Sequence, residues 1–196
     1  MRRRQFLLSS SAALAASGLA LAGCTTTPIG SQNNASQNTA KRNSIDAGVD
    51  ATLARLFNTV SGSQELISKS SGVLVFPQVL SAGFWFGGQY GTGALRVDGR
   101  TTGYYSTIAG SFGLQIGAQS KSIIFAFMNP VALNDFTSSQ GWSAGADATV
   151  ALVTVGANGN VDTSTAMSPV EAFVLTNAGL MAGVSLEGVK VSRLVI

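Results

Sequence analysis

From Gly72 to the end of the chain, apolar residues alternate with polar residues or glycine. This period of two is typical of half-buried β-strands rather than of helices. Tight-turn signals recur in this stretch, and Asp98-Gly99 has the residue types of a hairpin turn. The chain has 23 glycines in 196 residues, and glycines inside strands mark bends, bulges or close approach. The pattern therefore predicts a strongly curved, glycine-rich, mostly antiparallel β-sheet or barrel.

Flanking residues predict where several elements of this region begin and end. A short apolar strand is expected to end at Pro77, and a second hairpin is expected around Ser120-Lys121. One longer strand is predicted over 143–155. Asn129, which is followed by a proline, is expected to cap a short helix that ends near Phe136. The aromatic residues of these strands, including Tyr90, are expected to be mainly core on both sides of a curved sheet. The alternative is that one aromatic side is exposed to a bilayer interface, a ligand or a partner.

The segment before Gly72 has a helical period instead. Ser44 is expected to be the N-cap of a helix with Asp46 in its first turn, and Ser63 is expected to cap a second helix over 64–68. The apolar stripe of the first helix faces either the core or a bilayer. Together with the sheet, this predicts an α+β fold with one or more N-terminal amphipathic helices packed on the curved sheet. The stripe consists of Ile45, Val49, Leu53, Leu56, Phe57 and Val60.

The first 24 residues have the composition of an export signal. Three arginines at positions 2–4 precede an apolar run over 6–22, as in the n-region and h-region of a secretory signal peptide. The run ends in Leu21-Ala22-Gly23-Cys24, which resembles the lipobox of bacterial lipoproteins. This resemblance implies that residues 1–23 are removed and that Cys24, the only cysteine of the chain, carries the lipid. Export through the general or the twin-arginine pathway remains open.

Residues 24–43 are predicted to be a lipidated flexible tether, because this polar segment has little that could pack. The globular domain is then expected to span 44–196. Lipoproteins retained in the inner membrane usually have Asp after the lipidated cysteine, whereas this chain has Thr25. The resemblance therefore implies a lipid anchor in the outer membrane. The domain is expected to face the periplasm, and display on the cell surface remains open.

The charge balance excludes nucleic acid as a partner. Beyond Cys24 the chain has nine basic and nine acidic residues, so the formal charge of +3 comes from the three arginines of the signal peptide. Binding to a phosphate backbone needs clustered lysines and arginines. In the mature chain only Lys41 and Arg42 are adjacent.

No residue pattern predicts catalysis, a metal or a cofactor. The sequence 141–145 fits Gly-x-Ser-x-Gly, but a serine nucleophile of that type needs a histidine and the chain has none. Gly88–Gly93 lacks the Lys-Ser/Thr of a phosphate-binding loop. Asp46 and Asp50 share one helical face, where a solvated helix start is the expected role. We therefore do not expect an enzyme.

Three ordered blocks of the chain resemble the SYLF domain, which is also described as a lipid-binding or actin-binding domain of yeast-type endocytic proteins. The blocks are 71–77 with the glycines that follow it up to Gly93, then 113–119 with 145–148, and finally 182–188. The likeness covers roughly 44–196. It implies the fold and an affinity for lipid.

The resemblance implies phospholipid membrane as the partner, although the helical region has fewer basic residues than a phosphoinositide site would need. The alternative is a structural or protein-interaction scaffold of the envelope, which would bind an envelope protein. The candidate lipid-binding residues are Lys41, Arg42, Arg55, Lys69, Phe84, Trp85 and Phe86.

Overall fold

The computed structural model describes residues 31–83, 86–112, 119–154, 161, 168–181 and 185–196. Residues 37–196 form one compact unit. The helices of the described part are α1 (Ser31–Thr59), α2 (Ser63–Lys69) and α3 (Pro130–Ser138). The strands are β1 (Gly72–Gly83), β2 (Phe86–Val97), β3 (Arg100–Phe112), β4 (Gln119–Phe127), β5 (Trp142–Ser143), β6 (Val150–Leu152), β7 (Val170–Thr176), β8 (Gly179–Leu180) and β9 (Lys190–Arg193).

The described strands form one strongly curled, mostly antiparallel sheet, which confirms the predicted α+β fold. Its strand order is β5-β9-β3-β2-β1-β4-β7-β6, and β8 pairs with β7. Helix α1 packs on one face, here called the helix face, against residues such as Val75, Ala94 and Ile124. The opposite face carries a second core, in which Trp142 and Phe136 of α3 pack with ring centroids 5.7 Å apart.

The apolar stripe of α1 is core. Ile45, Val49, Leu56 and Val60 are at most 7% exposed. Burying a side chain of this kind contributes about 1.5 to 3 kcal/mol relative to leaving it in water. The stripe therefore holds α1 on the sheet and does not face a bilayer in this state.

Both predicted helix starts were wrong. Helix α1 begins at Ser31 rather than at Ser44, so residues 31–43 of the expected tether are helical. No glycine or proline interrupts residues 31–43, and the helix continues upstream from its packed part. Helix α2 begins at Ser63 itself after Gly62, whose φ is 83°. The Ser63 hydroxyl donates to the carbonyl oxygen of Val60 at 2.6 Å and is not a cap of α2.

Strand β1 does not end at Pro77 but continues through it with a bulge. Val75 pairs with Ala94 and Gln78 pairs with Thr92, so two residues of β1 stand opposite the single residue Gly93. Proline lacks a ladder donor and is tolerated inside a sheet at such a bulge.

Two other strand predictions were also wrong. Ser120 and Lys121 do not form a turn but lie in β4, where Lys121 pairs with Val79. The expected strand over 143–155 is divided into β5 and β6 by a turn in which Gly145 has a φ of 85°.

Two short-range predictions are confirmed. Asp98 and Gly99 have φ values of 50° and 75° and connect β2 to β3, where Val97 pairs with Arg100. The side chain of Asn129 accepts a hydrogen bond from the backbone N–H of Ala132 at 2.8 Å and caps α3. In both cases the deciding interactions lie within a few residues.

Glu171 of β7 is a buried carboxyl group. It pairs with Ala126 of β4 on the helix face and is 2% exposed. Its Oε1 has no hydrogen-bond partner among the described residues. Burial raises the pKa of the Glu171 carboxyl above its ordinary value of 4.5. The folded protein therefore binds this proton more tightly than the unfolded chain does.

We expect Gly93→Ala to destabilise the fold by roughly 2 to 5 kcal/mol or to prevent folding. A Cβ at this position would lie 2.1 Å from the carbonyl oxygen of Val75 and 2.7 Å from Cδ1 of Phe76. Chemical denaturation gives the free energy of unfolding. Gly110→Ala is the matched control, because a Cβ at Gly110 meets nothing within 4 Å. Equal stability of the two variants would contradict a requirement for glycine at the bulge.

We expect Glu171→Gln to raise the free energy of unfolding at pH 7, because the unfolded wild-type chain ionises this carboxyl freely whereas burial disfavours its ionised form in the folded protein. The contribution of Glu171 is fully present below its unfolded pKa and is lost as the pH rises through its raised folded pKa. The gain should therefore shrink as the pH falls from the raised folded pKa towards 4.5 and be absent below 4.5. Urea denaturation at several pH values measures it. Glu187→Gln removes the same charge from an exposed position, and a gain there of equal size would refute the explanation by burial.

Candidate functional site

The four predicted basic lipid-binding residues do not form a cluster. Lys41 is exposed on α1, and Nε of Arg42 donates to the carbonyl oxygen of Ile196 at 2.8 Å. Nη2 of Arg55 donates to Oγ of Ser122 at 3.1 Å. Lys69 forms an exposed ion pair with Glu65, with a distance of 2.7 Å between Nζ and Oε1, and lowers the pKa of the Glu65 carboxyl. Three of the four cations therefore have partners within this domain, and Arg42 and Arg55 connect α1 to other segments.

Most of the other predicted site residues lie outside the described residues. These include Phe84, Trp85 and the lipobox residues Leu21, Ala22, Gly23 and Cys24. Phe86 begins β2, and its backbone pairs with Phe112 of β3. Of the aromatic residues expected in the core, Trp142 and Tyr105 are buried. The expectation for Tyr90 was wrong, because this side chain is 53% exposed.

Asp46 and Asp50 were expected at a solvated helix start, but α1 begins at Ser31 and both lie further along it. Asp50 is exposed, whereas Asp46 is partly buried. Both face Arg96 of β2, whose Nη2 lies 2.8 Å from Oδ1 of Asp50 and 3.5 Å from Oδ1 of Asp46. Asp46 also accepts hydrogen bonds from Thr101 at 2.7 Å and from the Tyr104 hydroxyl at 2.8 Å. Burial and the Asp46 hydrogen bond raise the pKa of Tyr104. We call these five residues the Arg96 clamp, and it fastens α1 to the β2–β3 hairpin.

Helix α1 covers only part of the helix face. Beyond the bulge, Leu80 of β1 pairs with Tyr90 of β2, and Tyr90 pairs with Ile108 of β3. Directly paired residues point to the same side of a sheet, so the three form one row across three strands. Their side chains are 52%, 53% and 53% exposed. We call this row and the paired residues around it the uncovered half of the helix face.

The surroundings of this row are open and carry little charge. A Cβ added at Gly88 or Gly110, in the next row towards the β1–β2 connection, would meet nothing within 4 Å. The row ends at exposed Ser120 on β4 and exposed Lys190 on β9. The described row on its other side is polar and contains no acid. It consists of Gln78, Thr92, Ser106 and Ser192.

Lys121 lies next to Ser120 but belongs to the other side of the sheet, since it pairs with the buried Val79. Burial lowers the pKa of its ammonium group. Lys190, by contrast, stands at the end of the apolar row on the same face.

The uncovered half of the helix face was missed by sequence reasoning. Leu80 and Ile108 were not singled out, because the strand was expected to end at Pro77. A regular alternation from Val75 would place Val79 on the helix face and Leu80 on the opposite face. The bulge at Pro77 reverses this assignment, so Val79 is 1% exposed and Leu80 is 52% exposed. Proline inside an apolar strand pattern was the available signal.

The Gly-x-Ser-x-Gly sequence at 141–145 leads into a turn of the backbone. The backbone N–H of Ser143 donates to Oδ2 of Asp147 at 2.6 Å, and Gly145 has a positive φ. The cleft beside Gly145 has a volume of about 350 Å³. Glu187 is the one charged side chain among its described lining residues, and a single carboxylate does not provide an acid–base pair.

None of the helices in the described residues combines the length and the apolar character needed to cross a membrane. No group of three or more acidic, histidine or cysteine side chains in the same part of the chain is arranged to hold a metal ion.

Comparison with known proteins gives one family. The family model described as "Ysc84: Las17-binding protein actin regulator" matches residues 108–193, which include the second and third SYLF-like blocks. The search of curated proteins gave no match. The matched family is one of lipid-binding and actin-regulating domains and is not known for enzymatic activity. The predicted resemblance to the SYLF (Ysc84) family is thus confirmed by the match over residues 108–193.

Proposed function

We propose that the chain is a lipid-anchored protein of the bacterial envelope whose SYLF domain binds phospholipid membranes. Cys24 carries the acyl chains, and the domain faces the periplasm from the outer membrane. The observation that carries this proposal is an apolar, uncovered half-face on a domain of a lipid-binding family. Large apolar side chains exposed side by side mark interaction surfaces.

The mode of binding follows from the charges of the mature chain. Its formal net charge is zero, and Arg42, Arg55 and Lys69 are occupied by contacts within the domain. Long-range attraction to an anionic surface is therefore weak. Apolar contact supplies the affinity of the domain, and the acyl anchor keeps the domain close to a membrane.

We expect residues 25–196, which contain the whole compact unit, to float with phospholipid vesicles in a density gradient. Binding should depend only weakly on salt, because apolar contact is not screened. Vesicles of phosphatidylethanolamine, with and without phosphatidylglycerol, test both classes of head group. The same protein without vesicles is the control. If the protein floats with neither composition, the proposal is refuted.

The anchor is tested separately in cells. Cys24→Ser in the full chain should abolish incorporation of radiolabelled palmitate, because the thiol is the acylation site implied by the lipobox. Ser36→Ala is the control, because it leaves the lipobox intact. Unchanged labelling of the Cys24→Ser variant would refute the anchor and leave the membrane affinity of the domain to the flotation experiment.

A further inference from the structure

We propose that the domain docks on a phospholipid bilayer through the uncovered half of its helix face, while α1 stays in place on the other half. This inference rests on the membrane-binding function proposed above and names the surface that performs it. It assigns the contact to strand residues that neither the resemblance nor the family match points to.

The first argument is the position of the exposed apolar side chains. Leu80, Tyr90 and Ile108 are direct neighbours on three adjacent strands and are each about half exposed. Val131 is also exposed, but it lies on α3, which packs on the opposite face of the sheet. A row on one sheet face can enter a planar interface with all three side chains at once.

The second argument is the shape of the surface. Gly88 and Gly110 present no side chain, and a Cβ at either would meet open space. The backbone of β2 and β3 beside the apolar row is therefore accessible from outside. A tyrosine with its hydroxyl group suits the boundary between head groups and acyl chains, where aromatic rings with a polar tip are enriched.

The third argument is charge complementarity. The apolar row and its described polar neighbours contain no acidic residue, so these two rows present no carboxylate to a phosphate surface. Lys190 pairs with Ile108 at the end of the row and is exposed. Its ammonium group can reach a phosphate while the apolar side chains enter the layer below. Both anionic and zwitterionic phospholipids supply that phosphate.

The fourth argument concerns α1. Its apolar stripe is buried against the sheet, and the Arg96 clamp fastens it at Asp46 and Asp50. Release of α1 would expose Val75, Ala94 and Ile124, which are all fully buried. The uncovered half is already accessible with α1 in place, so docking needs no such rearrangement.

The experiment uses residues 25–196, which contain no cysteine. Tyr90→Cys, Ile108→Cys and the control Val131→Cys are each labelled with an environment-sensitive fluorophore. We expect a blue shift at positions 90 and 108 on vesicles of phosphatidylethanolamine and phosphatidylglycerol, and none at 131. A shift at 131 alone, or shifts without vesicles that accompany dimer formation, would overturn this docking surface.

A second set of variants tests the energetics. The combined variant Leu80→Ser, Tyr90→Ser and Ile108→Ser should lower the vesicle partition coefficient at least about tenfold, because it removes the apolar contacts. Val131→Ser, which removes an exposed apolar side chain from the opposite face, should not change it. If the wild-type domain floats and the combined variant floats equally well, the docking surface is wrong and the proposed function stands. If the wild-type domain does not float, the proposed function itself fails.

Hydrogen exchange on vesicle-bound protein tests the position of α1. The backbone amides of the stripe, for example at Val49 and Leu56, should keep the protection that they have in solution. Loss of this protection on vesicles would show that α1 leaves the sheet and would overturn the inference. The fluorophore and exchange measurements decide the matter even if the combined variant does not fold.

Discussion

The bulge at Pro77 is the constraint on which the rest of the arrangement depends. It places two residues of β1 opposite Gly93, where a Cβ would lie 2.1 Å from a backbone oxygen. On the other side of β1, Ser122 donates its hydroxyl hydrogen to the carbonyl oxygen of Pro77 at 2.7 Å, and Arg55 of α1 donates to Ser122. Gly93 of β2 therefore leaves room for the bulge, Ser122 of β4 donates to its carbonyl oxygen, and Arg55 of α1 donates to Ser122 in turn.

The same bulge marks where the cover of the helix face ends. A Cβ added at Gly48 of α1 would lie 3.0 Å from Cγ of Pro77, so the helix approaches the bulge closely because it has glycine there. On one side of this contact the sheet is covered by the apolar stripe and the Arg96 clamp. On the other side the bulge has reversed the alternation of β1. Leu80 rather than Val79 therefore lies on the helix face, where it is exposed. One irregularity thus separates a structural half-face from an accessible one.

Much of the fold could be predicted from the sequence because it rests on local chemistry. The Asp98-Gly99 turn, the Asn129 cap and the helical period from Ile45 to Val60 each depend on residues close together in the chain. The candidate lipid-binding residues could not be assessed from local chemistry in this way. Arg42, Arg55 and Lys69 were candidates for their charge, and that charge is directed at partners within the domain. A residue list does not show which contacts a cation has already made.

The sequence by itself determined the class of the protein: a helical segment followed by a glycine-rich antiparallel sheet, with the ordered blocks of a SYLF domain. It did so because strand period, turn residues and glycine positions are local properties. Only the tertiary structure decided which side chains are exposed. Leu80, Tyr90 and Ile108 are far apart in the chain and become neighbours through strand register. That register depends on a one-residue bulge, which turns every later side chain of β1 to the other face.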